Sequence, residues 1–184
     1  PPARQLARFA RDLPPSCILA IDEAYMEFAQ PQEDYSLLPR LDEFPNVVIL
    51  RTFSKMYGLA GLRLGYGVCP PWLADHLWRV RLPFSVNLAA EQAGVAALGD
   101  NAFVAQTLQT VTGGRELLTN GLRSLGFEVL PSLANFILVR PEPQFGLNAA
   151  GVHQELLRRG VIIRPMAGYG MPDRLRISIG NDQE

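Results

Sequence analysis

The sequence predicts an α/β fold over residues 1–100 and a smaller α+β unit over residues 101–184. In the first part, short apolar runs end in polar or glycine-rich segments, which is typical of strands in an α/β layer. Stretches with apolar residues at helical spacing lie before and after these runs. The last third alternates several strand-like runs with one helical stretch, which favours a separate α+β unit.

Three apolar runs predict the strands of the first part. Residues 17–21 form a continuous run, as expected of a strand buried on both faces of a parallel sheet. A second run covers residues 47–50, and a third, residues 64–68, contains Gly65 and Gly67, which indicate close backbone approach or a bulge. Because ligands of open α/β sheets bind at the carboxyl ends of strands, the polar residues that follow these runs are candidates for a binding site.

The remaining elements follow from periodicity and capping residues. Helices are predicted over residues 6–13, 72–80, 88–98 with Asn87 as N-cap, and 101–125 with Asp100 or Asn101 as N-cap. Gly113–Gly114 interrupts the apolar pattern of the last helix, which predicts a bend or a break there. In the final third, strands are predicted at residues 127–130, 135–139, 161–164 and 175–179 and a helix at residues 149–159.

Composition narrows the class of protein. A net charge of −1 gives no electrostatic basis for binding nucleic acid or an acidic membrane surface. No apolar run approaches about 20 residues and no segment has a secretory pattern, so we expect a cytoplasmic protein with Cys17 and Cys69 reduced and buried.

The two histidines are expected to have packing or solvated positions. His76 is expected at the edge of a packed helix face and His153 on a solvated face of its helix. Neither the cysteines nor the histidines have metal-ligand spacing, so no metal site is predicted.

The most informative residue is the only lysine. The chain contains sixteen arginines and one lysine, Lys55. Arginine can replace lysine where a positive charge suffices, but not where a primary amine must deprotonate and attack a carbonyl. Lys55 lies in the glycine-rich segment 51–66, which also contains Ser54 and Arg63. Drift in composition would also leave an occasional lysine, but this position favours amine chemistry.

Lys55 and four other residues match separate chemical requirements of one kind of cofactor. A lysine amine forms an imine with an aldehyde, and a carboxylate such as Asp22 beside a ring nitrogen keeps that nitrogen protonated. The phenol of Tyr25 can donate a hydrogen bond to a ring oxygen. The hydroxyl of Ser54 and the guanidinium of Arg63 suit a phosphate group.

These residues, at these separations, resemble the fold type I pyridoxal phosphate enzymes, most closely the histidinol-phosphate aminotransferase group of the class II aminotransferases. The segments that carry the resemblance are residues 21–28 (Ile-Asp-Glu-Ala-Tyr-Met-Glu-Phe), 51–66, 83–87, 134–136, 164–166 and 175–180. It extends over essentially the whole chain, which matches the C-terminal half of such an enzyme.

The resemblance implies a fold and a cofactor site. Residues 1–100 would be part of the large-domain sheet that binds pyridoxal 5'-phosphate, followed by a small, truncated C-terminal domain. Lys55 would be the Schiff-base lysine and proton shuttle, Asp22 would pair with the pyridinium nitrogen, and Tyr25 with the phenolic oxygen. Ser54 and Arg63 would hold the cofactor phosphate.

It also implies a substrate site and a reaction. Arg176, with Arg164 as a helper, would bind the carboxylate or phosphate of the substrate. The reaction would be amino transfer between L-histidinol phosphate and 2-oxoglutarate, by an enzyme that is a homodimer at full length. An aromatic aminotransferase, a phospho-amino-acid decarboxylase of the same superfamily and a non-catalytic pyridoxal phosphate-binding module remain alternatives.

Each site residue also has a purely structural interpretation. Asp22 could cap a turn after its strand, and Tyr25 could be a half-buried packing residue. Arg63 could belong to a structural ion pair, and Arg164 and Arg176 could be solvated strand residues. Their occurrence together with a single lysine favours a site.

The chain departs from the family in length. Such enzymes are about twice as long, and their first half supplies a phosphate-gripping loop and an aromatic that stacks on the cofactor ring. The chain begins at Pro1 and ends soon after a strand-like run, so we expect a fragment with an unpaired sheet edge and exposed apolar surface. On its own it is expected to be inactive.

Overall fold

The chain folds around two β-sheets, one in each of two units. The computed structural model describes residues 1–142, 146–181 and 183–184, and these divide into the units Pro1–Ala105 and Gln106–Glu184. The identification of the two parts of the chain as a partial large domain and a small C-terminal domain stays a prediction.

The first unit contains the predicted helices and strands in the predicted order. They are α1 (Ala3–Asp12), β1 (Leu19–Asp22), β2 (Val47–Thr52), β3 (Gly65–Val68), α2 (Pro71–Val80) and α3 (Leu88–Gly99), and α4 (Asn101–Ser124) begins at its end. Short 3-10 helices occupy the long connection between β1 and β2. The Oδ1 atom of Asn87 accepts a hydrogen bond from Ala90 N at 2.8 Å, which confirms the predicted cap of α3.

The first sheet has the order β1-β2-β3 and is mixed. β1 runs parallel to β2, with Asp22 opposite Leu50, whereas β3 is antiparallel to β2. The parallel pairing predicted for the first run is therefore confirmed by β1 and β2. No direction was predicted for the third run, which forms the antiparallel strand β3. Burial of β1 on both faces is also wrong: Leu19 and Ile21 pack against the core, while Ala20 is exposed on the other face.

The core of the first unit lies between α1 and the sheet. Ala7 and Ala10 of α1 are buried against Val47 and Ile49 of β2, together with Phe44. Small alanine side chains let the helix approach the strand closely, and burial of each large apolar side chain stabilises the unit by about 1.5–3 kcal/mol. This core fixes β2, the strand that leads into the segment with Lys55.

The cysteines lie outside this core. Cys17, before β1, is exposed, and Cys69, after β3, is half-buried. The predicted burial of both thiols is therefore wrong. The apolar runs that contain or adjoin them extend beyond the strands that actually form, Leu19–Asp22 and Gly65–Val68.

Close backbone approach at the start of β3 confirms the interpretation of its glycines. A Cβ atom at Gly65 would lie 2.8 Å from the carbonyl oxygen of Arg51, whereas at Gly67 the nearest atom, Leu50 Cδ2, would be 3.4 Å away. The backbone carbonyl of a paired strand cannot shift to make room for the new atom as easily as a side-chain methyl group can. We expect Gly65→Ala to lower the free energy of unfolding by about 1–3 kcal/mol in urea titrations. Gly67→Ala is the matched control, and an equal loss in both variants would contradict the steric explanation.

The second unit contains most of α4 and an antiparallel sheet. Its other elements are β4 (Glu128–Val129), β5 (Phe136–Arg140), α5 (Ala149–Arg158), β6 (Arg164–Pro165) and β7 (Leu175–Ser178), with strand order β4-β5-β7-β6. Val129, Ile137, Val139, Ala149 and Leu175 form its core. The predicted α+β arrangement is confirmed, although the strand expected over residues 161–164 forms only at its last residue.

Helix α4 continues through the two glycines that were expected to bend or break it. A Cβ atom at Gly114 would lie 2.6 Å from Ile179 Cγ2. The prediction of a break is wrong because this glycine makes room for a neighbouring side chain of the second unit, and the backbone stays helical.

Both histidines lie where packing explains them. His76 is exposed, and its Nδ1 atom lies 2.7 Å from the carbonyl oxygen of Trp72 one turn earlier. His153 is half-buried, and its Nδ1 atom is buried without a hydrogen-bond partner among the described residues. The solvated position expected for His153 is therefore wrong, because Ala149 and Val152 of the same helix pack on the core and draw this face inward.

A large apolar surface on the first unit is exposed, as expected. Trp78 is 63% exposed, Leu82 75% and Phe84 96%, and further apolar side chains of α2 and α3 share this exposure. Such an area exceeds what isolated surface residues explain and is typical of a contact surface. Within the described part of the chain, the structure contains no helix with the length and apolar character needed to span a membrane.

Candidate functional site

The carboxyl ends of β1 and β2 bring the predicted site segments together. Because the two strands are parallel, both chains leave the sheet at the same edge. The backbone N–H of Glu23 donates to the carbonyl of Leu50 at 2.8 Å, so this pairing extends one residue beyond β1. The turn after β1 therefore lies beside the segment that follows β2.

Lys55 and Tyr25 meet at this edge. The Nζ atom of Lys55 lies 5.5 Å from the centroid of the Tyr25 ring. An ammonium group over an aromatic face is attracted by the ring quadrupole. Thirty residues of sequence thus separate two side chains that the sheet places in direct contact.

Buried neighbours hold the segment that carries Lys55. Phe53 and Met56 are buried, while the lysine side chain between them is exposed. The backbone N–H of Ser54 donates to Thr52 Oγ1 at 3.0 Å, and Gly58 N donates to the carbonyl of Lys55 at 3.1 Å. The segment is thus anchored on both sides of Lys55, while the lysine side chain itself is exposed.

Asp22 ends β1 with its carboxylate exposed. Its Oδ1 atom accepts a hydrogen bond from Ala24 N at 3.0 Å, which is the turn-capping role considered from the sequence. Oδ2 accepts no hydrogen bond from the described residues. The carboxylate therefore shapes the turn and still has an oxygen free to meet a ligand.

Arg63 is the least prepared of the predicted cofactor residues. It adopts a left-handed conformation, with φ 57° and ψ 43°, at the end of the 3-10 helix Ala60–Leu62. Its Nη1 atom donates to the carbonyl of Ala60 at 2.8 Å. Among the described residues no ion pair holds its guanidinium, and the roles of Arg63 and Ser54 as phosphate ligands stay predictions.

A buried charged cluster beneath the two turns was not predicted. Glu23 is 2% exposed, and its Oε2 atom accepts hydrogen bonds from Arg51 Nη2 at 2.8 Å, Arg51 Nε at 3.1 Å and Ser36 Oγ at 2.9 Å. Glu27 is also buried, with Oε1 3.7 Å from Arg51 Nη1. We call Glu23, Glu27, Ser36 and Arg51 the Arg51 cluster. Glu23, Glu27 and Arg51 all lie within the segments that carry the family resemblance, but nothing in the sequence indicated that they pair.

The environment of Glu27 disfavours its charge. Burial raises the pKa of its carboxyl above the ordinary 4.5, and the positive charge of Arg51 only partly offsets this effect. Burial also raises the pKa of the neighbouring Tyr57 phenol, and the charge of Glu27 adds to that rise. The cluster thus combines one cation with two carboxyl groups, of which one resists ionisation.

The raised pKa of Glu27 makes the stability of the chain depend on pH in a defined direction. The folded state holds the Glu27 proton more tightly than the unfolded state, so its contribution to stability is full below pH 4.5 and is lost as the pH rises through the folded pKa. We expect Glu27→Gln to gain stability relative to the native chain as the pH rises above 4.5, measured by urea unfolding. Glu33→Gln, at an exposed position, controls for loss of a negative charge. A difference that does not change with pH would contradict this assignment.

Two arginines of the second unit form a separate cationic pair. Arg164 of β6 lies opposite Arg176 of β7 in the strand register. The guanidinium of Arg176 lies 4.9 Å from the centroid of the Phe136 ring, and Arg164 Nη1 lies 3.4 Å from Tyr169 Oη. Neither arginine forms an ion pair with a carboxylate of the described residues. Two guanidinium groups without a carboxylate partner could both bind an anionic group, and this role stays a prediction.

The side-chain groups of Lys55, Tyr25 and Asp22 match the ring of one kind of cofactor. An amine, a phenol and a carboxylate with a free oxygen are the groups that an aromatic aldehyde with a basic ring nitrogen requires. The residues present therefore fit pyridoxal phosphate at its ring, whereas a phosphate grip would need Arg63 to turn away from Ala60.

Comparisons with known proteins agree with this chemistry. The family model for class I and II aminotransferases matches residues 3–184. The chain is 56% identical to the histidinol-phosphate aminotransferase of Nitratidesulfovibrio vulgaris (strain DP4) and 44% identical to histidinol-phosphate aminotransferase 2 of Ralstonia nicotianae. All of this chain is covered in both matches, but only 48% and 49% of those proteins. The chain thus spans about half the length of these relatives.

A solved aminotransferase structure has the same fold as this chain. The histidinol-phosphate aminotransferase of Sinorhizobium meliloti in complex with pyridoxal-5'-phosphate matches with a TM-score of 0.88 and 31% identity. The match covers 98% of this chain and 49% of that one. Both units thus have counterparts in an enzyme of fold type I, which confirms the predicted fold class.

Proposed function

Because the chain belongs to the class I and II aminotransferases, we propose that it supplies the lysine-bearing part of a pyridoxal phosphate-dependent aminotransferase. Its reaction is amino transfer between L-histidinol phosphate and 2-oxoglutarate. The contact of Lys55 with Tyr25, at the sheet edge where Asp22 ends β1, carries the proposal. The names of the relatives at 56% and 44% identity support the choice of substrate.

Each residue at the edge has one role in this proposal. Pyridoxal phosphate, when bound, supplies an aldehyde and an electron-withdrawing ring. Lys55 provides the amine that attaches the cofactor and later carries a proton at Nζ. Asp22 holds a proton on the ring nitrogen through its free oxygen, and Tyr25 donates its hydroxyl hydrogen to the ring oxygen.

Ser54 and Arg63 complete the proposed cofactor site by binding the phosphate. Ser54 lies next to Lys55, and its hydroxyl is a short, neutral donor. Arg63 would exchange its hydrogen bond to Ala60 for a charge-assisted bond to phosphate, which is the stronger interaction. This exchange supports a role for Arg63 despite its present orientation.

Arg176 and Arg164 are proposed to bind the anionic group of the substrate. We expect Arg176→Met to raise KM for the anionic substrate about 10- to 100-fold with a smaller change in kcat, because a charge-assisted hydrogen bond is lost. Steady-state kinetics of the reconstituted enzyme described below measure the effect. Arg158→Met, on the exposed end of α5, is the matched control. An unchanged KM in the Arg176 variant would assign it a structural role.

We further propose that the chain needs the rest of the enzyme for turnover. The relatives are about twice as long, and the exposed apolar surface around Phe84 supports the need for a covering partner. A cytoplasmic homodimer of the complete enzyme would provide further contact area. We expect the isolated chain to show no amino transfer.

One labelling experiment tests the proposal on the chain itself. Pyridoxal phosphate is added and reduced with borohydride, and the tryptic peptides are mapped by mass. Since Lys55 is the only lysine, the expected result is one labelled peptide that contains it. A chain that is unlabelled, or labelled only at its amino terminus, would refute the proposal.

A second experiment tests the reaction and the alternatives. The chain is refolded with the part of the Nitratidesulfovibrio vulgaris relative that it does not match, and amino transfer is followed with histidinol phosphate and with phenylalanine. Transfer from histidinol phosphate is expected. Preference for phenylalanine would favour an aromatic aminotransferase. Release of carbon dioxide from an added phospho-amino acid would favour a decarboxylase. Labelling without any turnover would favour a non-catalytic module.

A further inference from the structure

The Arg51 cluster lies where the two site segments leave the sheet. Glu23 follows Asp22 directly, and its side chain is buried whereas that of Asp22 is exposed. Arg51 is the penultimate residue of β2 and precedes Lys55 by four residues. The cluster therefore joins the segment with Asp22 and Tyr25 to the segment with Lys55 from beneath.

Three hydrogen bonds from two side chains converge on a single oxygen atom in this cluster. Glu23 Oε2 accepts two hydrogen bonds from the guanidinium of Arg51 and one from Ser36 Oγ, while Oε1 of the same carboxylate is buried without a partner. Arg51 Nη1 lies 3.3 Å from Gln32 Oε1. Since a guanidinium is planar and its donors have fixed directions, this arrangement tolerates little displacement of one turn against the other.

Stability alone does not explain such a cluster. A buried ion pair loses much of its attraction to the cost of removing both charges from water, and well-packed apolar residues often replace it without loss. The unpartnered oxygens of Glu23 and Glu27 add to that cost. What the ion pair provides, and apolar contacts do not, is a directed link between two loops.

We propose that Glu23 and Arg51 are positioning residues, which set the distance and orientation of Asp22 and Tyr25 relative to the amine of Lys55. The inference rests on the proposed function, because only a ligand held by all three residues needs that geometry. Glu23 and Arg51 touch neither cofactor nor substrate in this role. They act through the backbone of the turns that follow them.

The test separates positioning from stability with a charge-free double variant. Glu23→Gln/Arg51→Met is made in the Glu27→Gln background, because Glu27 also pairs with Arg51. The glutamine oxygen at position 23 still accepts from Ser36, and no buried carboxylate of the cluster is left without its cation. The reduced, labelled fraction of Lys55 is measured against time after addition of pyridoxal phosphate, together with the pH midpoint of the visible absorbance of the attached cofactor. Urea unfolding gives the stability of each variant, and Glu43→Gln, which breaks the exposed pair with Arg40, is the control.

We expect the double variant to unfold close to the native midpoint but to label Lys55 about 10- to 100-fold more slowly, with a shifted pH midpoint of the absorbance. The control should match the native chain in every measurement. Native labelling and an unshifted midpoint in a folded double variant would overturn the inference. If the double variant is unstable, Arg51→Lys, which keeps the charge and loses the planar fork, takes its place with the same criteria. A native chain that fails to label refutes the proposed function instead, so the two failures are distinguishable.

Discussion

Replacement of Lys55 by arginine is expected to abolish attachment of pyridoxal phosphate completely. Arginine keeps the positive charge and can still lie over the Tyr25 ring, but its guanidinium does not deprotonate and cannot attack an aldehyde. The side chain is exposed, so folding should not change. Mass spectrometry after borohydride reduction measures the label, and circular dichroism checks the fold.

A relocated lysine provides the control for this result. Lys55→Arg combined with Arg81→Lys keeps one lysine in the chain but moves it to an exposed position after α2. If labelling depends on the site, this variant stays unlabelled under conditions that saturate the native chain. Equal labelling of both positions would mean that any exposed amine reacts, and the proposed site would lose its main support.

The single lysine shows what sequence can predict about a site. Its chemistry is a property of the residue type, so its significance does not depend on a three-dimensional context. The apolar runs before Asp22 and before Ser54–Lys55 predicted two strands, and their parallel pairing brought Lys55 to Tyr25. To place Lys55 near Tyr25, it was enough to know that the two strands are neighbours and where each of them ends.

Strand direction and burial were harder to predict, for physical reasons. The period of two along a strand is the same in parallel and antiparallel sheets, so nothing in residues 64–68 distinguished them. Gly65 did signal close approach, since that requirement is local to one residue pair. Gly114 misled the prediction because its reason is a contact with Ile179, which is far away in the sequence.

The Arg51 cluster was missed because its meaning is also non-local. A charged residue beside an apolar run is usually solvated, and only the pairing of Glu23 with Arg51, 28 residues apart, makes burial tolerable. Sequence alone offered both residues without indicating that they share a hydrogen bond. Arg164 and Arg176 were named from the resemblance, but only the strand register shows that they lie opposite each other.

Replacement of Arg51 alone by methionine is expected to cause the largest loss of stability, about 3–5 kcal/mol, because it leaves buried carboxyl groups without their cation. Methionine fills similar volume, so the loss comes from charge and not from a cavity. Urea unfolding followed by circular dichroism measures it. Glu43→Gln, which breaks an exposed pair, should unfold almost as the native chain does.

The pH dependence of this loss distinguishes charge from packing. Burial already raises the pKa of the Glu27 carboxyl, and loss of Arg51 removes a positive charge that partly offsets this effect. The folded state of the variant therefore holds a proton at Glu27 that the unfolded state releases above about pH 4.5. Stability should therefore recover as the pH falls toward that value and decline as it rises. A deficit that stays constant across this range would assign the loss to packing, and it would show that the carboxylates find other partners once Arg51 is gone.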